Sequence, residues 1–254
     1  MSNIVDLNNL NHRSKERIKN LGEVFTPEAY VEDMLDLLSK DKKNLWSNED
    51  IAFFEPCSGH GNFVLSIYKR RLEAIYKKAV SQGNKDAAYY AVANSLNTLW
   101  AIDIDKKNIE NCRTRVLSAT IEFLKLKTAY KDEKTLLSKK KDFFAHVLSA
   151  ITWHIEENET LSALSNPQSA KVNAGLTKAG AKWFSINGHQ QLNFELTWVH
   201  YFEQCESANT TPIEYQRSLK FIEASIYGKT RGFDEFDFAK ALLDDNQKQP
   251  RLGA

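Results

Sequence analysis

The chain is short of the residues that mark several protein classes. It has three cysteines in 254 residues, Cys57, Cys112 and Cys205, scattered and without a CxxC pair. That is too few for a disulfide framework or a zinc site, and it fits a reducing cytoplasm. No run of about 18 apolar residues occurs. The polar start M-S-N-I-V-D-L-N-N-L-N-H-R-S-K-E-R has no apolar signal core. Neither export nor a membrane span is expected, and the expected location is the cytoplasm. The net charge of +1 selects no class of partner by itself. Glycine is scarce as well, with ten in the whole chain.

What is present can build a core: 42% of residues are hydrophobic and 11% aromatic, enough for one large domain or two small ones. The small net charge hides an uneven spread. Residues 106 to 145 hold eleven Lys/Arg against five Asp/Glu, whereas residues 151 to 254 hold ten against thirteen. The basic part includes the run Lys139-Lys140-Lys141. Such a run fits either a phosphate backbone or a solvated helix face.

Periodicity orders the elements. Residues 28 to 39 place Val31, Met34, Leu35 and Leu38 at helical spacing, with Thr26-Pro27 as cap and first-turn proline. Residues 51 to 54 read as a short strand. Helical patterns follow over 63 to 79, where Leu65, Tyr68, Leu72 and Ile75 form one stripe, and over 87 to 96. A second strand is predicted at 99 to 104, a long helix from 106 to about 126, a further helix over 134 to 150, and a strand at 151 to 155. Strands alternating with helices indicate parallel crossover units, hence an α/β, doubly wound, mostly parallel sheet. The part beyond 165 reads as mostly helical.

One short stretch stands out against the scarcity of glycine: F-E-P-C-S-G-H-G-N-F at 54 to 63. A strand that ends in an acid and turns through glycines into a helix brings bare backbone close to a ligand at the carboxyl edge of the sheet. The alternative is a turn whose glycines serve packing alone. Position 64 is Val and no third glycine follows, so the dinucleotide pattern G-x-G-x-x-G is absent and a nicotinamide cofactor is disfavoured. The strand L-W-A-I-D-I-D, 99 to 105, also ends in acids. Asp103 suits a carboxylate that accepts ribose hydroxyls, and Asp105 suits the cap of the next helix. Upstream lies L-G-E-V-F-T-P, 21 to 27.

In this order, Gly22 to Pro27, Glu55 to Phe63 and Leu99 to Asp103 resemble the S-adenosylmethionine-dependent DNA amino-methyltransferases of the adenine-specific type, the modification subunits of restriction systems and their phage and plasmid relatives. The resemblance covers roughly residues 20 to 125. It implies a Rossmann-like class I methyltransferase fold, S-adenosylmethionine as cofactor and DNA as partner. It places Glu55 near the methionine amino group, with Pro56 and Cys57 beside it. Gly59 and Gly61 form the turn beneath the cofactor, Asn62 and Phe63 complete the signature, and Asp103 holds the ribose. Phe25, Thr26 and Pro27 close over the methionine end; Phe25 is alternatively a hydrophobic staple on the first helix. Cys57 is expected to pack and not to react.

The same family carries [DNS]-P-P-[YFW] after its fourth strand to hold the target amino group and stack the flipped base. No such tetrapeptide occurs. The nearest approach is Ser165-Asn166-Pro167-Gln168, which makes Asn166 and Pro167 the candidate catalytic residues. Its alternative reading is a helix start, asparagine capping and proline at the first position. His154, His189 and His200 offer no substitute, and Phe194, Trp198, Tyr201 and Phe202 have the spacing of a core stripe.

The expected organisation is a polar leader over 1 to 20, a cofactor-binding domain over 21 to 164, a helical part over 165 to 243 that contacts substrate or a partner protein, and a disordered tail over 244 to 254. The helical part includes an amphipathic segment over 214 to 226. G-K-T at 228 to 230 lacks the glycine and strand of a phosphate loop. Two functions remain: a DNA amino-methyltransferase with a divergent catalytic loop, or a catalytically silent module of the same fold that binds cofactor, DNA or a protein, or forms a homo-oligomer.

Overall fold

The computed structural model describes residues 26 to 194 together with Thr197 and Trp198. Phe25, Tyr201 and Phe202, the leader, the segment over 214 to 226 and the tail lie outside the described residues. Three short strands, Phe53–Glu55 (β1), Leu99–Asp103 (β2) and Ile155–Glu157 (β3), form a parallel sheet in the order β1-β2-β3. Phe53 pairs with Leu99, and Asp103 with Glu157. The central strand is continuously apolar, and Leu99, Trp100, Ala101 and Ile102 are all buried, as expected for a parallel strand covered on both faces.

The helices are Glu28–Ser39 (α1), Asn62–Ser81 (α2), Ala87–Asn97 (α3), Lys106–Lys127 (α4), Glu133–Lys139 (α5), Lys141–His154 (α6), Thr160–Ala163 (α7), Pro167–Ala174 (α8) and Lys178–Asn187 (α9). The stripe on α2 is buried as its spacing predicts. The strand order runs in one direction, and α2 and α4, which follow β1 and β2, pack together. The fold is therefore α/β with a small parallel sheet and mostly helical content. Among the described strands the winding runs one way only. No described helix is long and apolar enough to cross a membrane.

Three expectations need correction. The strand predicted over 151 to 155 is instead the last turn of α6, with β3 beginning at Ile155. Ile151 and Trp153 reach the core from the helix, and a short apolar run looks the same in either state. The single helix predicted over 134 to 150 breaks at Lys140, whose φ of −124° and ψ of 35° separate α5 from α6. Finally, Pro27, not Thr26, is the residue flanking α1, and no side chain caps that helix. Of the apolar positions expected on α1, Val31 and Leu35 are buried, while Met34 and Leu38 are exposed.

The chain past 165 continues to pack. The Leu192 N–H donates to the Ala163 carbonyl at 3.0 Å, and Phe194 meets Phe54 and Trp100 edge-on at 4.8 and 5.5 Å. Trp198 is buried against Trp153 and His146. Its backbone N–H donates to His154 Nε2 at 2.9 Å while His154 Nδ1 meets the Leu96 carbonyl at 2.6 Å. A carbonyl cannot donate, so the His154 proton sits on Nδ1. The ring stacks on Trp100 at 4.4 Å.

Candidate functional site at the carboxyl edge of the sheet

Each strand ends in an acid at the same edge: Glu55 on β1, Asp103 on β2 and Glu157 on β3. Between β1 and α2 the chain turns through Pro56 to Gly61. The Ser58 N–H donates to the Ile102 carbonyl at 2.9 Å, laying the turn across the end of β2, and the Gly61 N–H closes it on the Ser58 carbonyl at 2.9 Å. Gly59 and Gly61 have φ of +52° and +91°, values that side chains with a Cβ adopt at a cost. Gly61 has a second reason to be glycine: a Cβ there would lie 2.5 Å from Cys112 Sγ on α4. The packing explanation thus accounts for Gly61 in full, whatever the turn binds.

Asp103 is tied to this turn. Its Oδ2 accepts the Gly59 N–H at 2.8 Å; its Oδ1 accepts the Asp105 N–H at 2.8 Å and the Asn108 amide at 3.3 Å. A carboxylate offers about four acceptor positions, so one remains. Asp103 can take one hydroxyl as it stands, and a second only if Asn108 or Gly59 gives way. Burial raises its pKa above the usual aspartate value, opposed by those same hydrogen bonds. Glu55 accepts the Cys57 N–H at 3.3 Å on Oε1. Burial raises its pKa, and the nearby Asp103 charge adds to that, against the Cys57 N–H. Two partly desolvated carboxyls side by side favour a cation between them.

The upstream segment joins through Asn62. Its amide donates to the Thr26 carbonyl at 2.9 Å, and its carbonyl oxygen accepts from Arg115 at 2.9 Å. Arg115 also meets His60 Nδ1 at 2.7 Å, donates to the His60 carbonyl at 3.0 Å, and pairs with Glu28 at 3.5 Å. Thr26-Pro27, the glycine turn and Asp103 therefore meet although they are far apart in sequence. Phe63, the second residue of α2, packs against the core. Cys57 is exposed at the turn, so the packing role expected for it is not found; desolvation raises its thiol pKa, the Thr160 hydroxyl opposes this, and Asp103, Glu55 and Glu159 raise it further. Such a thiol is poorly suited to act as a nucleophile. Asp105 caps α4 through the Lys107 N–H at 2.8 Å, as the sequence predicts.

Asn166 and Pro167 form a local device. Asn166 Oδ1 accepts the Ser169 N–H at 3.0 Å and the Ser169 hydroxyl at 2.8 Å, and Pro167 opens α8. The sequence reading missed Arg115, Asn108 and the end of β3. There the Asn158 N–H donates to the Asp103 carbonyl at 3.0 Å and the Asn158 amide to the Gln190 carbonyl at 3.0 Å. The stretch I-E-E-N-E at 155 to 159 held a signal, a hydrophobic residue followed by acids, the same pattern that marked β1 and β2. Among the described residues no group of three or more His, Cys, Asp or Glu could hold a metal. No protein-family model matches the chain, and comparison with curated proteins and with solved structures gives no match.

Proposed function

We propose that this protein is an S-adenosylmethionine-binding, Rossmann-like member of the DNA amino-methyltransferases, transferring a methyl group to the exocyclic amine of a DNA base, adenine foremost. The observation that carries the reading is the joining of Thr26, Asn62, Gly59 and Asp103 at the carboxyl edge of parallel strands, where α/β sheets bind their ligands. S-adenosylmethionine bears an ammonium cation and ribose hydroxyls, and Glu55 and Asp103 supply a carboxylate for each. The Glu55 oxygen that no described residue engages is the natural acceptor for the ammonium, and the remaining position on Asp103 for one ribose hydroxyl.

A second reading, a silent module that binds cofactor, DNA or a partner protein, is favoured by one specific observation. The Asn166 side-chain oxygen that would hold a target amine is taken by the first turn of α8. Incubation with labelled S-adenosylmethionine and unmethylated DNA separates the two. The enzyme reading expects label in DNA; tight cofactor binding with no transfer leaves the module; absence of cofactor binding removes both.

A further inference from the structure

A cleft of about 400 Å³ lies at the other end of the long helices, between the end of α2, the start of α3 and the connection from α4 to α5. The 20 residues of α2 span about 30 Å, so the cleft is far from the glycine turn. Its size falls within the range of small-ligand sites. Three tyrosines line it, Tyr76, Tyr89 and Tyr130, together with Lys85, Lys127 and Lys140 against Asp86. Two of the lysines are placed over rings. Lys127 Nζ lies 4.9 Å from the Tyr76 centroid, and Lys140 Nζ lies 4.7 Å from Tyr89 and 6.0 Å from Tyr130.

Lys127 is paired with Glu73 at 3.0 Å, but Lys140 makes no ion pair among the described residues. The position of Lys140 is itself unusual. It stands at the break between α5 and α6, in the stretch S-K-K-K-D that contains no glycine or proline, whereas sharp helix breaks ordinarily have such a cause. The break sets the ammonium over the two tyrosines. Asp86 flanks α3 without capping it, which leaves first-turn N–H groups at the cleft wall without a side-chain acceptor.

The geometry points to a nucleotide-binding site here, phosphate held by Lys140, Lys85 and the start of α3, base lying beside the tyrosine rings that the lysines cover. Cations and aromatic faces in one groove are what a nucleoside phosphate needs, whether free or in a single strand. This gives a use to Lys140, the middle member of the basic run, and it stands without the cofactor reading.

The full chain is titrated by calorimetry with a single-stranded oligothymidylate, with thymidine monophosphate and with inorganic phosphate. Nucleotide binding is expected, weakened at least tenfold by Lys140→Glu and again by Lys85→Glu, with S-adenosylmethionine affinity unchanged. Lys85 is exposed, so its replacement leaves the fold intact and guards against misfolding of the first variant. Binding of the oligonucleotide alone identifies a strand as the source, and equal binding of the monophosphate a free nucleotide. The inference is overturned by no nucleotide binding, by binding that both variants leave unchanged, or by inorganic phosphate binding as well as the nucleotides do.

Discussion

The glycine turn and the Asn166 turn read alike in sequence, each a short polar signature ahead of a helix, yet they are built in opposite ways. The first is held by partners far away in the chain: Asp103 on Gly59, Cys112 under Gly61, Arg115 and Thr26 on Asn62. In the second, the Asn166 side chain is satisfied by Ser169, three residues on, although His189 reaches the neighbouring Ser165 carbonyl at 3.1 Å. A segment that distant residues have fixed in place keeps its form through groups beyond its own neighbours. A segment that caps its own helix has already used the groups it would offer.

Replacements at the two turns should therefore differ sharply. The largest effect is expected for Gly61→Val, which combines a positive φ with a clash against Cys112. Denaturant unfolding should show a loss of at least about 3 kcal/mol, and any folded fraction should bind S-adenosylmethionine at least tenfold more weakly. Next comes Asp103→Ala, which releases the Gly59 and Asp105 N–H groups and the Asn108 amide. Calorimetry should show at least a tenfold loss of cofactor affinity, about 1.4 kcal/mol, and unfolding a cost on the order of 2 kcal/mol. Asn166→Ala should cost only about 1 kcal/mol, the usual worth of a cap, with cofactor affinity unchanged. Equal losses at Asn166 and Asp103 would erase the contrast.

Acidity sharpens it further. Glu55 and Asp103 have raised pKa values, so a cationic ligand should lose affinity as pH falls through a range above the ordinary carboxylate values, and Glu55→Gln should flatten that profile. Without ligand the sign reverses: the stability these groups contribute is present at low pH and lost as they ionise. The ligand-induced rise in Tm should thus grow with pH. His146 acts in the other direction and away from both turns. It accepts the Trp198 indole N–H at 2.7 Å, and burial pushes its pKa down to about 4. Its contribution is complete above the unfolded histidine value and is lost as pH falls towards 4, by no more than about 3 kcal/mol. His146→Gln should remove that slope.

Sequence revealed the parts of the site that are local. Helices α2 and α4, strands β1 and β2, the glycine turn and the Asp105 cap all follow from periodicity or from residue types with a single conformational use. It did not reveal Arg115, because its partners His60, Asn62 and Glu28 lie more than fifty residues away and leave no pattern around it. It misplaced β3 because Ile151 to Ile155 is apolar enough for either a strand or a buried helix end, and tertiary packing of Trp153 and Ile151 decided the matter. The break at Lys140 could not be seen, since no breaker marks it. The remaining acceptor position on Asp103 emerged only by counting donors in three dimensions.

The two longest helices, α2 and α4, start at the edge that carries Glu55 and Asp103 and finish with Lys78 and with Lys125 and Lys127 in their last turns. At their C-terminal ends these cations lie beside the negative ends of the backbone dipoles, and at the start of α4 Asp105 meets the positive end ahead of Lys106 and Lys107. Among the described residues, a polyanion that reaches the far ends of these two helices therefore meets lysines beside the negative dipole ends, an attraction that weakens as salt is added.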